Sequence, residues 1–414
     1  MRKILLATTA VAAAALFGPG EAAAQQAPTV RVGGYFRFNY SFTDQDNAST
    51  ATVRTGKSDF ASDAEVHVIV EGKAANGLTY GSTIELQVDY NRGATSNTSS
   101  KTQLDTDEMY VWVASPTMGQ LRFGDEDGVV LGAMLTGFVT NFGTGGVDGD
   151  WGDNVIGANN RPTYIAGGYL ADSTKVIYTS PQFFGFDFGA SFAFNNGEGE
   201  DTGCTTDAVA PACDRANAYS YSLTGTNARF RNERQAAIRY RGSFAGVGLQ
   251  ANAGYIGADA TKNIDGPSAK GMDAFSFGLQ GTAYGFLVGG NYTFGDGAIG
   301  LGLLSRPTPG ERLDTRGFQT VFLGASYTIA GLTVGANFAN TRGAGNQTIT
   351  TSARNDRIWS VGANYTLAPG LQLVAEYTNL KRHEDGFDFA TGRVGAANNT
   401  TKADVVLVGT RLAF

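Results

Sequence analysis

The chain has 414 residues and a formal charge of −7, with 57 glycines, two cysteines, two histidines and only 17% charged residues. The acidic balance disfavours nucleic acid as a partner, which needs a basic footprint, and no nucleophile has a recognisable base beside it, so enzymology finds little support. No later run reaches the roughly 18 apolar residues of a transmembrane helix.

Residues 1–24 read as an export signal. Arg2 and Lys3 form its basic start, Ile4–Phe17 its apolar run and Ala22-Ala23-Ala24 a small-residue cleavage site. The mature chain then begins at Gln25. Removing Arg2, Lys3 and Glu21, net +1, takes the charge from −7 to −8. No linker or shift of composition divides 25–414, so it reads as one domain.

The first mature strand sets the pattern. Val30, Val32, Gly34, Phe36, Phe38, Tyr40 and Phe42 fall on one face; Arg31, Gly33, Tyr35, Arg37, Asn39 and Ser41 fall on the other. Strands are predicted at 28–42, 59–73, 78–91, 102–115, 120–125, 172–180, 186–196 and 231–242. The second half gives 247–257, 271–283, 286–295, 317–328, 332–342, 354–366, 371–383 and 402–414. Most run to about 10–13 residues, against the ~5–6 usual in globular sheets and close to what a tilted membrane strand needs.

Short turns centred on Gly77, Gly119, Gly185, Gly246, Gly285, Gly331 and Gly370 alternate with long polar loops. Tyr240, Tyr284, Tyr327 and Tyr365 stand just before short turns, and Phe186, Phe194, Phe286 and Phe294 lie near strand ends, where interfacial aromatic girdles belong. The expected fold is all-β: a membrane-spanning, antiparallel, 16-stranded barrel with short turns at one end and long loops at the other. Closure is required because an open sheet edge in lipid leaves backbone groups unpaired.

Cys204 and Cys213 lie in one polar loop. In an exported chain this predicts a single disulfide between them; Asp201, Asp207 and Asp214 make a poor zinc set. The segment 125–170 carries Asp125, Glu126, Asp127, Asp148, Asp150 and Asp153, with no base until Arg161. By strand parity Arg31, Arg37, Arg122, Arg239, Arg241 and Arg411 point to the polar face, Arg37 from the middle of its strand, and Glu85 and Glu108 join them. Arg31, Arg239 and Arg411, nearer the short-turn rim, are expected mainly to pair with wall carboxylates. Asp148-Gly149-Asp150-Trp151-Gly152-Asp153 opens like a calcium loop, but its aspartates fall at 1, 3 and 6 and no terminal Glu follows in place. No other cofactor is indicated.

The last strand ends on Phe414 after Val406, Val408, Thr410 and Leu412 on the same face. That ending resembles the assembly signal of bacterial outer-membrane barrels. The run Val-Gly-Gly-Tyr-Phe-Arg-Phe (32–38), the turn Gly72-Lys73-Ala74-Ala75-Asn76-Gly77-Leu78, Asp107-Glu108-Met109-Tyr110-Val111 leading to Leu121-Arg122-Phe123-Gly124-Asp125, and Tyr178-Thr179-Ser180-Pro181 together resemble a general porin of the sixteen-stranded trimeric type, nearest to those of alphaproteobacteria.

The resemblance implies a homotrimer in the outer membrane of a Gram-negative bacterium, in contact with lipid and folded by the barrel assembly machinery. It implies that 125–170 folds into the lumen as a constriction. Its carboxylates would face the wall arginines across a narrow pore and favour cations; the alternative is a solvated acidic outer loop. The expected function is passive, weakly cation-selective diffusion of small hydrophilic solutes and ions. The alternative function is a substrate-selective channel of the same fold, for which the inward aromatics Tyr35, Tyr110 and Trp112 form no clear track.

Overall fold

The computed structural model describes residues 26–47, 55–89, 103–155, 173–195, 230–260, 272–296, 317–344, 353–391 and 393–414. The predicted export signal, the two cysteines with their predicted disulfide, and the stretch 156–170 of the acidic segment lie outside them.

Sixteen strands form one closed barrel, and every neighbouring pair is antiparallel. They are β1 (Gln26–Gln45), β2 (Ser58–Lys73), β3 (Thr79–Asp89), β4 (Gln103–Ser115), β5 (Gly119–Asp125), β6 (Thr174–Thr179), β7 (Phe186–Asn195) and β8 (Phe230–Phe244). The second half comprises β9 (Val247–Ala260), β10 (Met272–Ala283), β11 (Phe286–Asp296), β12 (Phe318–Ile329), β13 (Leu332–Ala344), β14 (Ala353–Ala368), β15 (Leu371–Glu384) and β18 (Thr400–Ala413). Two-residue strands β16 (Phe387–Asp388) and β17 (Arg393–Val394) form a small separate ladder in the loop between β15 and β18. Each predicted strand is present, with its ends shifted by a few residues.

Closure is made by β18 against β1, with Arg37 opposite Arg411 and Tyr40 opposite Val408. Gly34 and Phe414 exchange both backbone hydrogen bonds at 3.1 Å, so the last residue is tied into the seam.

The seven turn glycines all adopt the positive φ that a side chain resists, between 78° and 91°. In four turns the preceding residue, Phe184, Ala245, Tyr284 or Ala330, is also at positive φ. Positive φ at both central positions is the I′ geometry that matches strand twist. Bulky residues in that conformation are strained, and the flanking strand pairs hold them there.

Large apolar side chains cover the outside: Phe36, Phe188, Leu279, Val288, Leu323, Val361 and Val408 are all exposed. In a soluble protein such a surface would be a liability; on a barrel in lipid it is the solvent-facing side. Rings touch toward both strand ends. Phe186 packs on Tyr240 and Phe286 on Tyr327, with centroids 5.0 and 4.5 Å apart, beside the short turns. Tyr255, Phe275 and Phe294 form a second group toward the long loops.

Candidate functional site: a constriction seated on the inner wall

After β5 the chain turns inward and runs along the interior of the barrel. Its backbone satisfies part of its hydrogen bonding locally, around Gly128–Leu135 and in two short 3-10 turns at Gly146–Asp148 and Asp150–Asn154. A buried loop must otherwise satisfy its N–H and C=O groups on side chains, and here the wall supplies them strand by strand. Ser191 of β7 accepts from the Val129 N–H, and Gln235 of β8 from that of Val130 at 2.9 Å. Arg239 donates to the Ala133 carbonyl at 2.7 Å and Asn252 of β9 to that of Met134 at 2.8 Å. Gln280 of β10 accepts from Gly137, and Asn291 of β11 donates to Thr136.

Asn337 of β13 donates to the carbonyls of Val139 and Gly145 and accepts from the Val147 N–H. Glu376 of β15 takes the N–H groups of Thr144 and Gly146, at 2.8 and 2.9 Å, on one oxygen, together with the Thr144 hydroxyl. Finally Asp150 reaches across to Arg37 and Asn39 of β1, at 2.7 and 2.9 Å.

Close approach also needs room. Inward positions Gly189, Gly254, Gly278, Gly289, Gly324, Gly335 and Gly362 form a track under the loop. A Cβ at Gly335 would stand 2.2 Å from the Phe142 ring, and one at Gly324 2.7 Å from Val139. The track is continuous in places, since Gly289 pairs with Gly324 and Gly335 with Gly362 across adjacent strands. Apolar loop residues anchor at both ends: Val129, Val130 and Met134 pack with Ile177, Ala237 and Ile256, while Val147 and Trp151 pack with Phe322, Ile358 and Leu407.

Gly335→Leu is expected to lift Phe142 and loosen the seat, making the loop sensitive to protease and the single-channel current noisier. Ala336→Leu, one residue on and exposed outside, is expected to leave both unchanged. Equal behaviour of the two variants would show that the track does not hold the loop.

The sequence-predicted site residues divide into groups. Asp125 and Glu126 are buried at the root of the loop. Thr174 donates to Asp125 at 2.5 Å, and Arg122 to Glu126 at 2.8 Å. Asp127 is half-buried nearby. Burial pushes the carboxyls of Glu126 and Asp127 above the ordinary range, against the pull of Arg122 on the first and of Lys175 on both. Lys175, fully enclosed, donates to the Glu126 carbonyl at 2.5 Å. Asp150 is turned to the wall, whereas Asp148 and Asp153 are exposed. The six carboxylates therefore do not form one ring.

Among the bases, Arg37 bridges Asp63 and Asp150, both at 2.7 Å, and stacks over Tyr35. Arg239 and Arg241 share Asp187, each at 2.7 Å. Arg239 thus does more than pair with the wall, because it also holds the loop carbonyl of Ala133. Arg411 also lies over the Tyr35 ring, at 5.3 Å, and pairs with Arg37 across the barrel seam. Arg31 meets Glu71 at 3.6 Å in solvent.

Parity alone did not single out Glu376, Asn337, Gln235 or Asn39, because a polar inward residue in a strand looks the same whether it meets water or a loop. The recurrence of inward glycine in successive strands was the available signal.

A closed barrel with an apolar outside, a polar inside and a loop laid across its interior defines a membrane channel. The family model described as Gram-negative porin matches residues 7–385, and the chain belongs to that family. A search of the curated proteins gives no match. Similar solved structures include the anion-selective porin from Comamonas acidovorans, at 16% identity and TM-score 0.59, covering 94% of this chain and 100% of that one. OmpT, an outer membrane protein of Vibrio cholerae, is similar at 14% identity and TM-score 0.56, covering 95% and 100%. At these identities the likeness is one of fold. The protein is an integral outer-membrane β-barrel of a channel family for passive diffusion, and that family and fold are non-enzymatic.

Proposed function

We propose that the protein is a general diffusion porin for small hydrophilic solutes and ions, with a weak preference for cations, working as a homotrimer. The observation that carries the preference is the pairing of the lumenal arginines. Arg37 is shared by two carboxylates, Arg122 faces Glu126, and Arg239 and Arg241 converge on Asp187. Asp148 and Asp153 are exposed on the loop, and Glu65 and Glu85 add to the wall. With Arg37, Arg122, Arg239 and Arg241 each met by carboxylates, and Asp148, Asp153, Glu65 and Glu85 adding negative charge, the lumen presents a negative field, which favours cations. The anion selectivity in the name of the Comamonas acidovorans porin does not pass to this chain at 16% identity.

In planar bilayers under a KCl gradient the reversal potential is expected on the cation side, most clearly in dilute salt where the Debye length is long. Asp148→Asn with Asp153→Asn should move it toward zero. An anion-side potential for the unmodified protein would reject the reading. The trimer predicts an oligomeric band in unboiled gels, and Phe414 is proposed as the signal read by the assembly machinery.

A further inference from the structure

On the inner face of β2, Asp63, Glu65 and His67 follow one another at every second residue. His67 is opposite Glu85 of β3, and on its other side the cross-strand neighbour is Gly33 of β1, which adds no side chain. The His67 Nε2 is in close contact with a Glu65 oxygen, its Nδ1 is 3.7 Å from Glu85, and the Tyr35 hydroxyl donates to the other Glu65 oxygen at 3.0 Å. At Glu85 the β3–β4 register slips, Ile84 pairing with Met109 and Leu86 with Thr106. Such bulges re-aim side chains and recur beside functional sites.

We propose that Glu65, His67 and Glu85 form a binding site in the channel wall for a divalent transition-metal ion of the zinc type. One donor atom from each of the three lies within 4.8 Å of the others. Ligand atoms on a tetrahedral zinc, at about 2.0–2.2 Å from the metal, stand roughly 3.4 Å apart, so side-chain rotation closes the difference. Imidazole with two carboxylates suits zinc, nickel or copper, whereas magnesium and calcium prefer all-oxygen sites. The open lumen supplies the fourth position, as in zinc sites that keep one exchangeable ligand. Tyr35 holds Glu65 in place by the outer hydrogen bond that ligating groups need.

Electrostatics points the same way. Glu65 and Glu85 crowd one imidazole, and two carboxylates sharing a site call for a cation. The nearby Arg37 is engaged by Asp63 and Asp150. Among the described residues this is the one cluster of three such donors.

The functional consequence rests on the channel reading. A bound divalent ion beside Arg37 would add positive charge to the lumen and lower its cation preference, so the channel would sense zinc.

The test uses the untagged full-length protein in detergent with zinc chloride as the probe. Calorimetry should show saturable binding of one zinc per chain. His67→Gln and Glu85→Gln should each weaken it at least about tenfold, the scale known for disturbing even the outer shell of a metal site. His383→Gln should leave it unchanged. Should the variants fold poorly, diethylpyrocarbonate labelling of the unmodified protein decides: zinc should protect His67 and not His383, while equimolar magnesium or calcium should not protect.

Absence of zinc binding, binding unaffected by His67→Gln, or equal protection by calcium would each overturn the site. In bilayers, zinc should shift the reversal potential toward the anion side. A conducting channel that binds no zinc refutes this inference and leaves the porin standing. Zinc binding without conduction would do the reverse.

Discussion

Replacing Glu376 by Ala should unseat the constriction while leaving the barrel intact. Glu376 is buried, and one of its oxygens takes two backbone N–H groups and a hydroxyl from the loop. Hydrogen bonds to a charged acceptor contribute ~1.5–3 kcal/mol each, and a buried donor left without a partner costs a further ~1–3 kcal/mol. Because three bonds on one carboxylate are not additive, a total on the order of 3–6 kcal/mol is a fair expectation. That is more than a single loop–wall contact can offset, so the loop should leave its seat around Gly143–Val147.

The barrel should not follow, since the ladders that pair β15 with β14 and β18 run unbroken on both sides of Glu376. The expected result is a larger and noisier single-channel conductance, cleavage of the loop by protease added from outside, and unchanged migration of the folded barrel in unboiled gels. Glu376→Gln keeps one acceptor oxygen in place and should fall between. A Glu376→Ala channel with wild-type conductance and a protease-resistant loop would show that the apolar anchors at Val129–Met134 and Val147–Trp151 are sufficient.

What could be read from the sequence follows from which forces are local. Strand positions were legible because lipid on one side and water on the other impose a strict two-residue alternation, and because Gly246, Gly285 and Gly331 mark turns that need positive φ. The count of sixteen followed from the same signals. The site was legible only in part. Arg37 and Arg122 could be placed inward by parity, but their partners could not, since Asp150 is more than a hundred residues from Arg37 in the chain.

In sequence the acidic segment is a row of carboxylates expected to face the pore. Composition does not distinguish Glu126, which is buried against Arg122, from Asp148, which faces water. Distance to a short turn places Arg239 and Arg411 near the rim, but it does not reveal that Arg239 also reaches the loop carbonyl of Ala133 or that Arg411 pairs with Arg37 across the seam. The acidic wall of Asp63, Glu65 and Glu85 is only partly legible, because β2 is so regular an amphipathic strand that its inward residues look like ordinary lumen polarity.

Arg37 is where the loop, the wall and selectivity meet, so its removal should have the second large effect. Its guanidinium donates to Asp63, Asp150 and the Tyr35 hydroxyl, all at 2.7 Å. Arg37→Ala uncovers the charge of Asp63, which is partly open to the lumen, and leaves Asp150 with Asn39.

A unit charge acting at 4 Å is worth about 1 kcal/mol in bulk water and about 4 kcal/mol at the dielectric of a protein surface. A permeating ion in a water-filled pore feels something nearer the lower figure. The cation-to-anion permeability ratio is therefore expected to rise several-fold at about 0.01 M salt and to converge on wild type near 1 M, where the Debye length is only ~3 Å.

Arg37→Lys separates charge from geometry. Lysine restores the positive charge but not the planar fork that spans two carboxylates, so selectivity should return while Asp150 is held less firmly and current noise stays high. An Arg37→Ala reversal potential equal to wild type in dilute salt would mean that ions do not pass close to this side chain, and the narrowest point would then lie along Asp148 and Asp153.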